Sequence, residues 1–208
     1  MVSDNYRELG TRLLMPIAKR LQINPTILSL ISLLSACGAG FFFYKAELLE
    51  SGAADYSLLI AGILVFVAAV FDALDGIVAR MTGTASKRGD LIDHTLDRVA
   101  DILILGGISL GPIVEERVGV VALLGVLLLS YMGTQAQAVG AGRVYEGVLG
   151  RADRLVILTL VPMIQYFMYE PIYNLYIMEW MAYGFGVICT ASAGYRFSII
   201  WKELENRV

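Results

Sequence analysis

Long uncharged apolar segments constrain this chain of 208 residues more than any other feature. A lipid interior offers no water to backbone N–H and C=O groups, so segments of this length are expected to form helices. The hydrophobic share of 57% and the mean hydropathy of +0.68 agree with an all-α integral membrane protein. Six transmembrane helices are predicted, at residues 26–44, 56–81, 89–114, 118–142, 155–169 and 177–201.

The first 24 residues are predicted to form a separate surface element. Apolar residues recur there at helical spacing, and basic residues lie between them. This pattern predicts an amphipathic juxtamembrane helix on the cytoplasmic surface, either facing lipid headgroups or packed on the bundle. Asp4 and Glu8 argue against a cleavable signal peptide. We therefore expect one domain over residues 1–208, with a surface helix at 1–24 and a six-helix bundle at 25–201.

The basic residues indicate how the chain is oriented. With the N-terminus inside, 14 of the 16 Lys and Arg residues fall in inner segments, and only Lys45 and Arg117 fall in outer loops. This asymmetry predicts that both termini lie on the cytoplasmic side of the cell membrane. The net charge of -3 gives no indication of a nucleic-acid partner. Cys37 and Cys189 lie in apolar segments and are expected to be small core residues.

Two pairs of acids interrupt this apolar pattern at the cytoplasmic edge of the membrane. Asp72 and Asp75 are three residues apart, and Asp93 and Asp97 are four apart, so each pair shares one face of its helix. Carboxylates are costly at such a position unless they bind a cation or line a water-filled site. Two facing pairs predict a site for a hard divalent metal, and such a metal beside a membrane suggests phosphate chemistry.

The acids belong to a longer motif that resembles a known family. The motif is Asp72-x2-Asp75-Gly76-x2-Ala79-Arg80-x8-Gly89-x3-Asp93-x3-Asp97. It is similar to the signature of the CDP-alcohol phosphotransferases, which join an alcohol to a CDP-activated lipid and release CMP. The resemblance extends over nearly the whole chain and implies an enzyme of phospholipid biosynthesis, and a homodimer.

The resemblance also implies roles for the motif residues. Asp72, Asp75 and Asp93 would be the main ligands of two Mg²⁺ ions, for which Mn²⁺ is the alternative. Asp97 would contact the second ion and, as general base, accept the proton of the attacking hydroxyl. The CDP-lipid would be bound by Asp72, by the small residues Gly76, Ala79 and Gly89, and by the phosphate-binding Arg80.

Three polar residues near the motif fall outside it. Asp101 lies one further turn along the face of Asp97 and would be either an outer carboxylate or an ion-pair partner of Arg98. Asp90 is expected to be solvated or paired in the same way. His94 follows a predicted ligand directly, so it should point about 100° away and contact a neighbouring helix.

The connection before the fifth span predicts the acceptor. It contains several glycines and three arginines, and a further basic pair precedes the third span. The candidate ligands for an acceptor phosphate are Lys87, Arg88, Arg143, Arg151 and Arg154. Guanidinium groups suit a phosphorylated acceptor, although basic residues of inner loops also follow from orientation alone.

This connection resembles that of the archaetidylinositol phosphate synthases and the related phosphatidylinositol phosphate synthases, two groups within the family. The resemblance implies inositol phosphate as acceptor and CDP-archaeol or CDP-diacylglycerol as donor. Glycerol phosphate and serine remain alternative acceptors. The sequence does not distinguish isoprenoid from acyl chains.

Two other classes of membrane protein also carry acidic side chains that bind cations. Intramembrane prenyltransferases carry two separated Asp-rich motifs in longer chains, whereas both pairs here lie within 26 residues. A divalent-cation transporter would favour acids near the middle of the membrane and repeat symmetry between its halves. The acids here lie at one face and no repeat is visible, so the sequence favours the enzyme.

Overall fold

The computed structural model describes residues 13–21, 23–47, 55–84, 86–142, 144, 147–168 and 170–206. These residues form seven α-helices and no β-strand, apart from an isolated bridge between Ile172 and Leu175. The all-α prediction is therefore confirmed for this part of the chain. The helices are α1 (13–20), α2 (Pro25–Lys45), α3 (Tyr56–Met81), α4 (Lys87–Leu110), α5 (Glu116–Ala138), α6 (Arg151–Phe167) and α7 (Ile177–Glu205).

Short polar residues start several of these helices. Asn24 caps α2 by accepting a hydrogen bond from the Thr26 N–H, and Pro25 occupies the first position. Asp55 caps α3, and Ser86 caps α4 by accepting from the Gly89 N–H. These signals explain why α2 and α3 lie within one residue of their predicted bounds.

Four predicted bounds were wrong by four residues, among them the end of α7, which reaches Glu205 rather than 201. Helix α5 ends at Ala138 rather than at 142, because the chain turns through Gly140 and Gly142, which have φ of 79° and 82°. Helix α4 ends at Leu110 rather than near 114. Helix α6 begins at Arg151, four residues before the predicted start, so two arginines assigned to the connection belong to its first turn.

The bundle is organised around α2 and α7. Helices α3 and α4 both pack against α2, while α5 and α6 both pack against α7; α6 also contacts α3, and α5 contacts α4. Small residues allow the closest approach. A Cβ on Gly107 of α4 would overlap the Gly40 carbonyl oxygen of α2, so the two backbones touch at this point.

Large apolar side chains cover the outer surface of the bundle. Leu34 of α2, Leu124 of α5 and Leu160 of α6 are each at least half exposed. Among the described residues, α2, α3 and α5 have both the length and the hydropathy needed to cross a membrane. Helix α4 begins with a polar half, α6 has only 17 residues, and α7 contains charged residues.

Helix α1 packs on the bundle next to the acidic motif. Ala18 is buried with Leu28 of α2 and Leu74 of α3, whereas Leu13 and Ile17 remain exposed. The residues before 13 lie outside the described part of the chain, as does much of the predicted surface helix.

The two cysteines differ in exposure. Cys189 is buried as predicted. Cys37 is exposed on α2, so its assignment to the core was wrong.

The contact between α2 and α4 predicts opposite effects for two adjacent glycines. Gly107→Ala should lower the free energy of unfolding by about 1–3 kcal/mol, because the methyl group meets backbone of α2. Gly106→Ala is the matched control: its Cβ meets no atom within 4 Å in the described structure, and alanine favours a helix by about 0.5–1 kcal/mol. Thermal unfolding in detergent compares them, and equal effects would contradict the close contact.

Candidate active site

The two acid pairs of the motif meet in one cleft between α3 and α4. One carboxylate oxygen from each of Asp72, Asp75 and Asp93 lies within 4.8 Å of the others. Asp97 follows one turn later on α4 and is buried. The cleft is lined by Ser29, Ser32, Leu33, Asp72, Asp75, Asp93, Leu96, Asp97, Ala100 and Arg151. The structure thus brings together all four acids that the sequence analysis selected.

Helix α2 forms one wall of this cleft and holds one of the acids. The Ser29 hydroxyl lies 2.6 Å from Asp75 Oδ2 and 3.2 Å from the Pro25 carbonyl oxygen. Because the hydroxyl donates to the carboxylate, it fixes the orientation of a buried anion. Sequence reasoning missed Ser29, since the contact spans 46 residues and no local pattern marks it.

Arg151 joins the acids of the two helices. Its Nη1 lies 2.7 Å from Asp72 Oδ2 and its Nη2 lies 2.8 Å from Asp97 Oδ1. The guanidinium therefore uses two nitrogens to bridge α3 and α4 from the start of α6. A fork of this kind matches carboxylate geometry and is a strong charge-assisted contact.

A chain of alternating charges leads from Asp97 into the bundle. Arg98 lies 3.6 Å from Asp97 and 3.7 Å from Asp101, which confirms the predicted pairing of Asp101 with Arg98. On its other side, Asp101 Oδ2 lies 3.5 Å from Nη2 of the buried Arg154. Asp101 and Arg154 are each only 3% exposed, so each needs its opposite charge in this interior.

Arg154 also organises the start of α6. Its Nη1 donates to the Leu149 carbonyl oxygen over 3.1 Å, and its Nη2 lies 3.4 Å from the Ser130 hydroxyl. Asp153 accepts a hydrogen bond from the Gly150 N–H, which caps the helix. These contacts fix the backbone from which the Arg151 side chain extends into the cleft.

The segment before α6 is attached to α7 as well. The Ser192 hydroxyl lies 3.1–3.2 Å from both the N–H and the carbonyl oxygen of Val148. Arg196, one turn further along α7, donates to the Leu129 carbonyl oxygen of α5. The start of α6 is therefore held by α4 and α5 through Arg154, and by α7 through Val148.

The small residues of the motif lie beside the acids. The Arg80 guanidinium lies over Gly76: a Cβ there would come within 3.3 Å of Arg80 Nη1. At Gly89 a Cβ would make only an ordinary 3.4 Å contact with the Ser86 hydroxyl. Packing within the described chain therefore leaves room for a side chain at position 89. It does not explain why this position is a glycine.

The predicted acceptor ligands occupy different environments. Lys87 and Arg88 are exposed at the start of α4. Arg151 contacts the carboxylates, and Arg154 is buried with partners of its own. Arg143 lies outside the described residues.

His94 lies closer to the acids than its position in the sequence implied. One of its ring nitrogens falls within 4.8 Å of carboxylate oxygens of Asp93 and Asp97. Its Nε2 also lies 3.6 Å from Oδ1 of the exposed Asp90. The expectation that His94 points away from Asp93 is thus not met.

The donor set fits a hard divalent cation. Three carboxylates converge from two helices, and Asp97 and the Ser29 hydroxyl add oxygen atoms to the lining of the same cleft. Mg²⁺ and Mn²⁺ prefer such oxygen ligands. Packing several carboxylates together is unfavourable unless positive charge lies among them.

A protein-family model matches the part of the chain that forms this site. The model described as CDP-alcohol phosphatidyltransferase matches residues 22–190, which include the whole cleft. The chain belongs to this family. This confirms the resemblance seen in the motif. The CDP-alcohol phosphatidyltransferase family consists of phosphotransferases, so the protein is an enzyme, as the sequence predicts.

Individual members of the family match much of the chain. An archaetidylinositol phosphate synthase of Pyrococcus horikoshii is 36% identical over 138 residues, which are 66% of this chain and 68% of that protein. An archaetidylinositol phosphate synthase of Methanothermobacter thermautotrophicus is 27% identical over 97% of this chain and 95% of its own length.

A solved structure shows the same fold. The crystal structure of Mycobacterium tuberculosis phosphatidylinositol phosphate synthase with CDP-DAG bound matches with a TM-score of 0.73. The two chains are 21% identical, and the match covers 91% of this chain and 94% of the other. A second crystal structure of that enzyme contains manganese and citrate.

The hydrogen bond from α2 predicts a role for Ser29. Ser29→Ala should weaken Mn²⁺ binding about tenfold, because a carboxylate without its outer hydrogen bond is poorly oriented. Ser35→Ala is the matched control, since among the described residues the Ser35 hydroxyl bonds within its own helix, to the Ile31 carbonyl oxygen. Mn²⁺ titration followed by electron paramagnetic resonance measures both affinities. Equal affinities in the two variants would contradict the role of Ser29.

Proposed function

We propose that the protein transfers an archaetidyl or diacyl phosphatidyl group from a CDP-activated lipid to inositol phosphate and releases CMP. The observation that carries the proposal is the convergence of four carboxylates and one guanidinium in a single cleft. The membership of the chain in the CDP-alcohol phosphatidyltransferase family supports the reaction class. The acceptor is inferred from relatives described as archaetidylinositol phosphate synthases and phosphatidylinositol phosphate synthases.

In this proposal Asp72, Asp75, Asp93 and Asp97 hold two Mg²⁺ ions, for which Mn²⁺ can substitute. When bound, the ions supply positive charge that neutralises the diphosphate and stabilises the leaving CMP. The chain itself orients the carboxylates. Ser29 holds Asp75 from α2, and the close approach of α2 and α4 fixes the helix that carries Asp93.

Asp97 accepts the proton of the attacking hydroxyl. It is buried, and Arg98 and Arg151 contact its two oxygens. A carboxylate is a weak base for an alcohol, so alignment of the hydroxyl must supply much of the rate.

The donor binds along the exposed end of α3. Arg80 offers several N–H donors to a phosphate, and Gly76 beneath it leaves room for this side chain. The open space at Gly89 accommodates the nucleotide between α3 and α4. Ala79 lies between Gly76 and Arg80 in the sequence, and its small side chain also leaves space for the nucleotide.

The acceptor phosphate is bound by basic residues at the mouth of the cleft. Lys87 and Arg88 are exposed there, and Arg151 lines the cleft itself. Arg143 belongs to the same group by its place in the sequence. We omit Arg154, because its donors serve the Leu149 carbonyl oxygen and Asp101 inside the bundle.

The outer surface supports a membrane arrangement with more spans than the three most apolar helices. Helix α6 exposes Val156, Leu160, Ile164 and Phe167 along one face, which supports a sixth span despite its length. We extend this to all of α2 to α7, with both termini and the cleft on the cytoplasmic side of the cell membrane. Residues 1–208 then form a single membrane domain, which assembles as a homodimer.

CMP release tests the proposed reaction. Purified protein with a CDP-lipid and Mg²⁺ should release CMP with inositol 1-phosphate, and not with glycerol phosphate or serine. Asp97→Asn should reduce the rate about 100-fold or more, because the amide cannot accept the proton. Asp90→Asn is the matched control on the same helix and should keep its activity. Turnover only with another acceptor would contradict the inositol phosphate assignment.

A further inference from the structure

Arg151 places a positive charge between two carboxylates of the cleft. Its two Nη nitrogens lie 2.7 Å and 2.8 Å from oxygens of Asp72 and Asp97. Those are two of the carboxylates that would hold a divalent cation. A guanidinium and a cation that use the same carboxylates compete for them, because each lowers the negative charge that attracts the other.

The contact leaves Arg151 partly unsatisfied. Within the described residues, its Nε is buried and has no hydrogen-bond partner. The side chain keeps 22% of its surface exposed, so it reaches solvent from the cleft. Rotation of the side chain would therefore make the Nε donor available to an anion that approaches from the open side of the cleft.

The surroundings of Arg151 allow its side chain to move while its backbone stays fixed. Gly150, Asp153 and Arg154 anchor the first turn of α6 through the cap and the Leu149 carbonyl oxygen. These contacts are made by other groups of the turn. A change of partner by the Arg151 guanidinium therefore requires rotation about its own side-chain bonds and no movement of the helix.

We propose that Arg151 is an internal counter-ion that exchanges partners during the reaction cycle. It binds Asp72 and Asp97 while the cleft holds no divalent cation, and it turns to the phosphate of the acceptor once a cation neutralises them. An anionic acceptor is thus bound only after the cation. This inference rests on the proposed function, because it assumes a phosphorylated acceptor.

Cation binding alone gives the first test. Arg151→Gln should bind Mn²⁺ about tenfold more tightly than the wild type, since a competing charge is removed from two ligands. Arg117→Gln is the matched control and removes the same charge from an exposed position. Arg117 lies at the start of α5, which follows the end of α4 that is remote from the cleft, so this variant should leave the affinity unchanged. Electron paramagnetic resonance of free Mn²⁺ measures all three proteins.

A second variant distinguishes the loss of the guanidinium fork from misfolding. Arg151→Lys keeps the charge but cannot bridge two carboxylates with a fork, so it should tighten Mn²⁺ binding by a smaller factor than Arg151→Gln. Unchanged or weaker Mn²⁺ binding in a folded variant would overturn the counter-ion role.

Acceptor binding gives the second test. Calorimetry should detect inositol 1-phosphate binding to the wild type with Mn²⁺ present and not without it, and the Arg151→Gln variant should bind it weakly in both cases. Equal binding with and without Mn²⁺ would overturn the exchange. If tighter Mn²⁺ binding is found but the wild type releases no CMP with inositol phosphate, the counter-ion role stands and the proposed acceptor fails.

Discussion

The structure depends on balancing the charge of four carboxylates inside an apolar helix bundle. Ionised acids at a membrane edge are unfavourable without opposite charge, and here one guanidinium, that of Arg151, bridges two of them. The balance continues through Arg98 and Asp101 to Arg154, so the cleft and the interior share one network. The start of α6 is consequently tied to both helices that carry the acids.

Close helix packing gives this network its geometry. Gly107 of α4 touches the Gly40 backbone of α2, while Ser29 of α2 reaches Asp75 of α3. A single helix therefore positions both acid pairs relative to each other. The carboxylates converge without a long loop, as expected of a site built on rigid elements.

Local sequence patterns were sufficient for the acids but not for their partners. Helical spacing placed Asp72, Asp75, Asp93 and Asp97 on common faces, and capping residues set the bounds of α2 and α3. The partners lie far away in sequence: Arg151 is 79 residues from Asp72, Arg154 is 53 from Asp101, and Ser29 is 46 from Asp75. Such contacts arise from packing, which a single sequence does not display. The cap formed by Asp153 starts α6 at Arg151, so both arginines belong to a helix rather than to the predicted connection.

Anomalous scattering from crystals grown with Mn²⁺ locates the cation and the Arg151 guanidinium in one experiment. An anomalous peak bounded by Asp72, Asp75 and Asp93 is expected, with the Arg151 guanidinium beyond hydrogen-bonding distance of Asp72. A peak elsewhere in the protein, with Arg151 still bridging Asp72 and Asp97, would contradict both the cation site and the exchange of partners by Arg151.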